Sequence, residues 1–114
     1  MREFSQGRIR LDYQIKDAPL TKADLLSQTK NYRAGILFVQ VFDPMSPPYG
    51  GMHAVTVVRT DTEGRTSIAT WGKYQHGHLV EREGGQWFAC EDGSRPIMKV
   101  RSFLILTPIR PSGR

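Results

Sequence analysis

At 114 residues, with 39% hydrophobic and 24% charged content, the chain has the size and balance of one globular domain that buries a core without staples. A single cysteine, Cys90, excludes an intrachain disulfide. No apolar run reaches the roughly 20 residues of a membrane-spanning helix, and the net charge of +5 favours anionic partners over lipid interiors.

The first segment, "GRIRLDYQIKD", alternates, with Ile9, Leu11, Tyr13 and Ile15 on one face and Arg8, Arg10, Asp12 and Gln14 on the other. It reads as a half-buried strand. "LTKADLLSQTKN" follows Pro19 and reads as the one helix, with Thr21 as N-cap and Asp24 completing a capping-box variant. "GILFVQVFD" is apolar on both faces and is expected to be a central strand. "HAVTVVRT" and "RTSIATWGK" flank the turn "DTEG", "QHGH" reads as a polar turn, and "HLVERE" and "QWFACED" flank a two-residue hairpin signal at Gly84-Gly85. "IMKVRSFLILTPI" is a long final strand. Seven strands and one helix in this order predict an α+β fold, a mostly antiparallel roll or partly open barrel. Residues 1–110 form a single domain and 111–114 a tail. The expected core is Ile9, Leu11, Leu25, Leu37, Val39, Val41, Val55, Val57, Ile68, Trp71, Trp87, Val100, Leu104 and Leu106.

The stretch from Leu20 to Lys73, with "LTKADLLSQTK", "GILFVQVFD", "GGMHAVTVVRT" and "SIATWGK", resembles the C-terminal half of papain-like cysteine peptidases. There a helix and strand lead to a glycine turn, a histidine opening a strand, and a hairpin ending in "NSWG". The resemblance implies that His53 stands at the catalytic histidine and Trp71 at the tryptophan that shields it. It departs from the family elsewhere: no cysteine precedes His53, Ala69 stands where the family has its orienting asparagine, and Arg59 replaces a glycine. A cysteine peptidase needs a thiolate, an imidazole within reach and a group fixing its tautomer. The one thiol available is Cys90, with Glu91 or Asp92 as an orienting carboxylate.

Other residues suggest binding. Arg8 and Arg10 share the outward face of the first strand, and Lys99 and Arg101 share one face of the last. If those strands are neighbours, the four cations form a stripe, and interleaved aromatics would stack bases of single-stranded nucleic acid. The loop "DPMSPPYGG" presents Pro47, Pro48 and Tyr49 as a stiff feature for a partner. His76 and His78 make an H-x-H pair that falls short of the three or four ligands of a metal site, so no metal and no cofactor is expected. The incomplete catalytic set and the basic charge together favour a non-catalytic module that docks on a protein or nucleic acid. The alternative is a small cysteine hydrolase using His53 with Cys90 or a group supplied by a partner. "MREFSQGRIR" has no apolar signal segment, so the cytoplasm is the expected compartment. The oligomeric state is open, with a dimer among the expected states.

Overall fold

The computed structural model describes residues 10–30, 34–43 and 50–109. In chain order the elements are β1 (Arg10–Asp17), α1 (Lys22–Lys30), β2 (Ala34–Val41), β3 (Met52–Thr60), β4 (Thr66–Thr70), β5 (Lys73–Arg82), β6 (Gly85–Cys90) and β7 (Met98–Ile109). All the strand pairings are antiparallel, in the order β1-β7-β2-β3-β4-β5-β6, and β6 also pairs with β7. Strands β2 to β7 therefore close into a six-stranded barrel and β1 is an additional strand outside it. The expectation of a mostly antiparallel sheet with one helix holds, but the barrel is closed and not partly open.

Closure depends on local bending, because six short strands complete a circle only if some of them turn sharply. Gly77 marks one corner. A Cβ at this position would lie 2.1 Å from the carbonyl oxygen of Ala89, a backbone atom that has nowhere to go. Two bulges mark others. The register of β3 on β4 slips at Val58, and that of β7 on β2 slips at Arg101. Each inserts one unpaired residue, and the alternation of inward and outward side chains changes phase beyond it. On β3, Val57 and then Thr60 are buried; on β7, Val100 and then Phe103.

The barrel interior holds Leu37, Val39, Val41, Val55, Val57, Ile68, Phe88, Met98, Val100 and Phe103, joined by Leu20 and Leu25. The expected Leu104 and Leu106 are only half-buried, because the bulge turns them to the outer face and brings Phe103 inside. Trp71 is 49% exposed and Trp87 half-buried. Tyr13 and Ile15 are 63% and 56% exposed: β1 lies outside the barrel and has no interior face to fill. Ile9 and the side chain of Leu11 fall outside the described residues.

Helix α1 packs across the end of the barrel where β3 turns into β4. Thr29 Oγ1 accepts the Thr60 amide at 2.7 Å, and the Lys22 side chain lies against Gly64 of the turn. Its N-terminus is the expected capping box: the Thr21 amide donates to Asp24 Oδ2 at 2.7 Å and the Asp24 amide to Thr21 Oγ1 at 3.2 Å. Lys16 of β1 adds an ion pair to Asp24 at 3.0 Å. Beside it, the buried amide of Gln86 bonds both the N–H and the C=O of Leu20, at 2.8 and 2.7 Å. These bonds fill the gap where β6 stops pairing with β7 and β1 begins. The hairpin turns also differ in detail from expectation. Arg82 pairs with Gly85, so the two-residue loop is Glu83-Gly84, and "QHGH" lies inside β5.

Three substitutions test this account. Gly77→Ala is expected to lose about 3 kcal/mol of stability or more, read from denaturant unfolding. Gly93→Ala, with positive φ but nothing within 4 Å, is expected to lose about 1–2 kcal/mol. Partial burial pushes the Asp24 carboxyl up, but the Thr21 amide and hydroxyl and the Lys16 ammonium outweigh it, so its pKa is lowered overall. A lowered folded pKa stabilises above the unfolded value and is lost as the pH falls through the folded one. Asp24→Asn is therefore expected to destabilise at neutral pH, the difference from the parent shrinking below the ordinary aspartate value near about 4.

Candidate functional site

Among the described residues, the one non-glycine residue with a positive φ lies in the β4–β5 hairpin. Thr70 pairs with Lys73, so the loop is the two residues Trp71-Gly72. Trp71 has φ of 50° and Gly72 of 76°, the left-handed pair that such a turn requires. Asparagine or glycine usually takes the first of these positions. A bulky aromatic there costs on the order of 1–2 kcal/mol. The Trp71 ring lies flat on His53, centroids 4.6 Å apart and planes 5° from parallel, and such a pair returns about 0.5–1.5 kcal/mol.

His53 opens β3 opposite Val39 of β2. Its Nε2 is 2.6 Å from Thr70 Oγ1, and Thr70 is buried at the end of β4. The imidazole is thus held on one nitrogen by a hydroxyl and on one face by an indole. The groove beside it has a volume of about 460 Å³ and is walled by His53, Thr70, Trp71, Lys73 and Tyr74. Tyr74 is 71% exposed and Met52, next to His53, is 60% exposed. Two large aromatic side chains, the imidazole and a lysine thus line one open groove.

Cys90 lies elsewhere. It ends β6 opposite Gly77, and β4 and β5 separate β6 from β3. Its Sγ donates to Gln75 Oε1 at 3.3 Å, and it lines a second groove of about 300 Å³ with His76, Glu91 and Asp92. Only Lys73 and Tyr74 border both grooves. Burial, with Asp92 nearby, pushes the thiol up from its ordinary value, and Lys73 only partly opposes this. The structure does not bring His53 and Cys90 together. Nor, among the described residues, does it give His53 a carboxylate: Glu91 accepts from Nε and Nη2 of Arg65, and Asp92 accepts the Ser94 amide. His76 Nδ1 is 2.7 Å from Ser67 Oγ. Among the described residues no three His, Cys, Asp or Glu side chains gather as metal ligands do.

The cations are divided as well. Strands β1 and β7 are neighbours, as the stripe required, but Arg10 pairs with Ile109. Arg101 lies eight residues away along β7, about 26 Å of extended strand. Lys99 and Arg101 do share a cleft of about 670 Å³, walled by Asp17, Glu81, Gln86 and Ser102. Arg8, Pro47, Pro48 and Tyr49 fall outside the described residues.

The sequence reading missed Thr70, whereas Tyr74 was among the aromatics, with Tyr13, Tyr49 and Phe103, expected to stack bases. For Thr70 the signal was its place two residues before Gly72, at the end of a strand whose turn went unseen. Comparison of the chain with known protein families, with curated proteins and with solved structures finds no match, so the functional reading is built on these side chains alone.

Cys90 is expected to alkylate with iodoacetamide more slowly than glutathione at about pH 8. That rate is expected to be unchanged in His53→Ala. Fast labelling that disappears in His53→Ala would instead mark a coupled thiol and imidazole.

Proposed function

We propose that the chain is a non-catalytic binding module that holds single-stranded nucleic acid in the groove between Trp71 and Tyr74. The observation that carries this reading is Trp71 itself: half-exposed, in a left-handed conformation, and held flat against His53. Steric strain at an exposed aromatic is tolerated where the side chain's position has a use. Nucleobases stack on such rings whatever their identity, and a neighbouring cation meets the phosphate backbone. Lys73 lies between Trp71 and Tyr74 in the sequence and lines the same groove. The net charge of +5 adds long-range attraction for a polyanion.

One observation favours a second reading, a hydrolase of papain-like type. The His53–Thr70 hydrogen bond and the Trp71 cover supply an oriented, shielded imidazole. That reading takes its nucleophile from a partner chain, because Cys90 lines a different groove.

Titration with oligothymidylate is expected to quench tryptophan fluorescence, and the affinity to fall steeply with salt. Trp71→Ala and Tyr74→Ala are each expected to weaken binding about 5- to 150-fold. Lys73→Gln is expected to lower the salt slope by about one. Absence of binding at low salt, or binding that survives both aromatic substitutions, overturns the proposal.

A further inference from the structure

We infer that the outer edge of β1 is a self-association surface, on which a second copy of the chain adds its own β1 antiparallel and centred on Gln14. The inference is independent of the groove at Trp71.

Strand β1 pairs with β7 along one edge; among the described residues the other edge pairs with nothing. Such an edge is a template for another strand. The hydrogen bonds show which main-chain groups it offers. The Ala18 amide donates to the Arg101 carbonyl, directly opposite in the continued β1–β7 register. By alternation Lys16, Gln14 and Asp12 face β7 with their main chain, and Asp17, Ile15 and Tyr13 face outward. The Tyr13 amide agrees: it donates to the Asp12 carboxylate at 2.9 Å and not to β7.

A two-fold axis perpendicular to the sheet keeps each face on its own side, so opposed residues must have the same parity. Three registers centre on the middle of the strand. Pairing Tyr13 with its own copy sets Arg10 against Lys16, like charges that oppose association. Pairing Ile15 with its own copy sets Tyr13 against Asp17 and leaves Lys16 opposite Gln14. Centring on Gln14 sets Asp12 against Lys16 twice, on the face that carries α1. On the other face it sets Tyr13 against Ile15 twice. These are the opposite-charge and aromatic–β-branched pairs that stabilise adjacent strands. In this register the outward amides and carbonyls of Tyr13 and Ile15 bond each other across the axis. Lys16 stays within reach of Asp24 on its own chain while meeting Asp12 of the second copy.

The apolar outer face supports the same arrangement. Tyr13 and Ile15 lie opposite Leu106 and Leu104 of β7, and Leu104 lies opposite Ile36 of β2. In the dimer the two faces join across the axis, so exposed Tyr13 and Ile15 each gain a neighbour. An edge built only to repel other strands would carry charges of one sign at symmetric positions; this one carries opposite signs.

The test uses the full chain in a Cys90→Ser background. Sedimentation at about 10–200 µM is expected to show mass rising from the 12.9 kDa monomer to twice that value. Gln14 pairs with itself at a non-hydrogen-bonded position, where Cα atoms are about 4.5 Å apart, within disulfide range. Gln14→Cys is therefore expected to crosslink to a dimer under mild oxidation. Asp12→Cys and Lys16→Cys are expected to crosslink only when mixed. Asp12→Lys is expected to weaken dimerisation about tenfold or more, and adding Lys16→Asp to restore it. Hydrogen exchange checks folding: the Tyr13 and Ile15 amides are expected to gain protection with concentration, while that of Gln14 does not. A chain that stays monomeric overturns the inference and leaves the edge to a foreign strand. A dimer that crosslinks as well through Asp12→Cys alone overturns the register.

Discussion

The close approach of Gly77 to the Ala89 carbonyl is the constraint on which the rest of the molecule depends. A six-stranded barrel of short strands has to bend, and it bends where a side chain is absent or an extra residue is inserted. With that corner in place β5 serves two neighbours in turn, β4 through residues 73–77 and β6 through residues 77–82. The same bend brings β6 round to β7, where only Trp87 and Phe88 complete the circle. So short a seam does not hold the barrel by ladder hydrogen bonds alone. The buried Gln86 amide extends it by bonding Leu20 on both sides, and leaving either main-chain group unpaired would cost about 1–3 kcal/mol. The capping box, the Lys16–Asp24 pair and the Gln86 clamp all act on the connection between β1 and α1, fixing the strand that lies outside the barrel.

The existence and type of the elements were legible because they follow from local patterns. Thr21 and Asp24 cap the helix as their spacing implies, and Asp61 accepts the Glu63 and Arg65 amides to close the "DTEG" turn. What was illegible depends on contacts between distant residues. The alternation of Leu104 and Leu106 is real, but a bulge at Arg101 decides which set faces inward, and no feature of the last strand alone marks it. The alternation of Tyr13 and Ile15 is equally real, yet it belongs to a strand with no interior. The Trp71-Gly72 turn was missed for another reason. Propensity puts asparagine or glycine before Gly72, and the stacking that offsets part of the cost of tryptophan there comes from His53 on the neighbouring strand β3.

Trp71 also explains why His53 drew attention as a catalytic candidate. A histidine opening a buried strand, followed by a hairpin that ends in Trp-Gly, is the pattern on which the resemblance to papain-like peptidases rests. Here the imidazole is held by Thr70, one residue beyond the position where asparagine was sought, and stacked beneath the indole. An imidazole fixed in this way is a rigid base for Trp71 as much as an oriented proton acceptor. What separates the two uses is the rest of the site. The groups lining the groove with the imidazole are Trp71, Tyr74 and Lys73, a broad aromatic and cationic surface with no thiol among them. The only thiol borders a different groove, and burial pushes its pKa up.

The two proposed surfaces occupy different parts of the sheet, and this separation is itself a consequence of barrel closure. The groove lies at the start of β3 and the β4–β5 turn, away from the end covered by α1, whereas the β1 edge lies on the far side of β7. Strands β7 and β2 intervene, so neither surface has to change for the other to be occupied. Pairing through β1 would then place two Trp71 grooves in one assembly without altering either. Two weak stacking sites on one particle raise the effective concentration of a bound strand at the second site, provided the strand is long enough to span them. A module of this size has little surface for a large interface of its own. Under the two proposals together, repetition of a small site by symmetry is what would let the chain hold a flexible polymer.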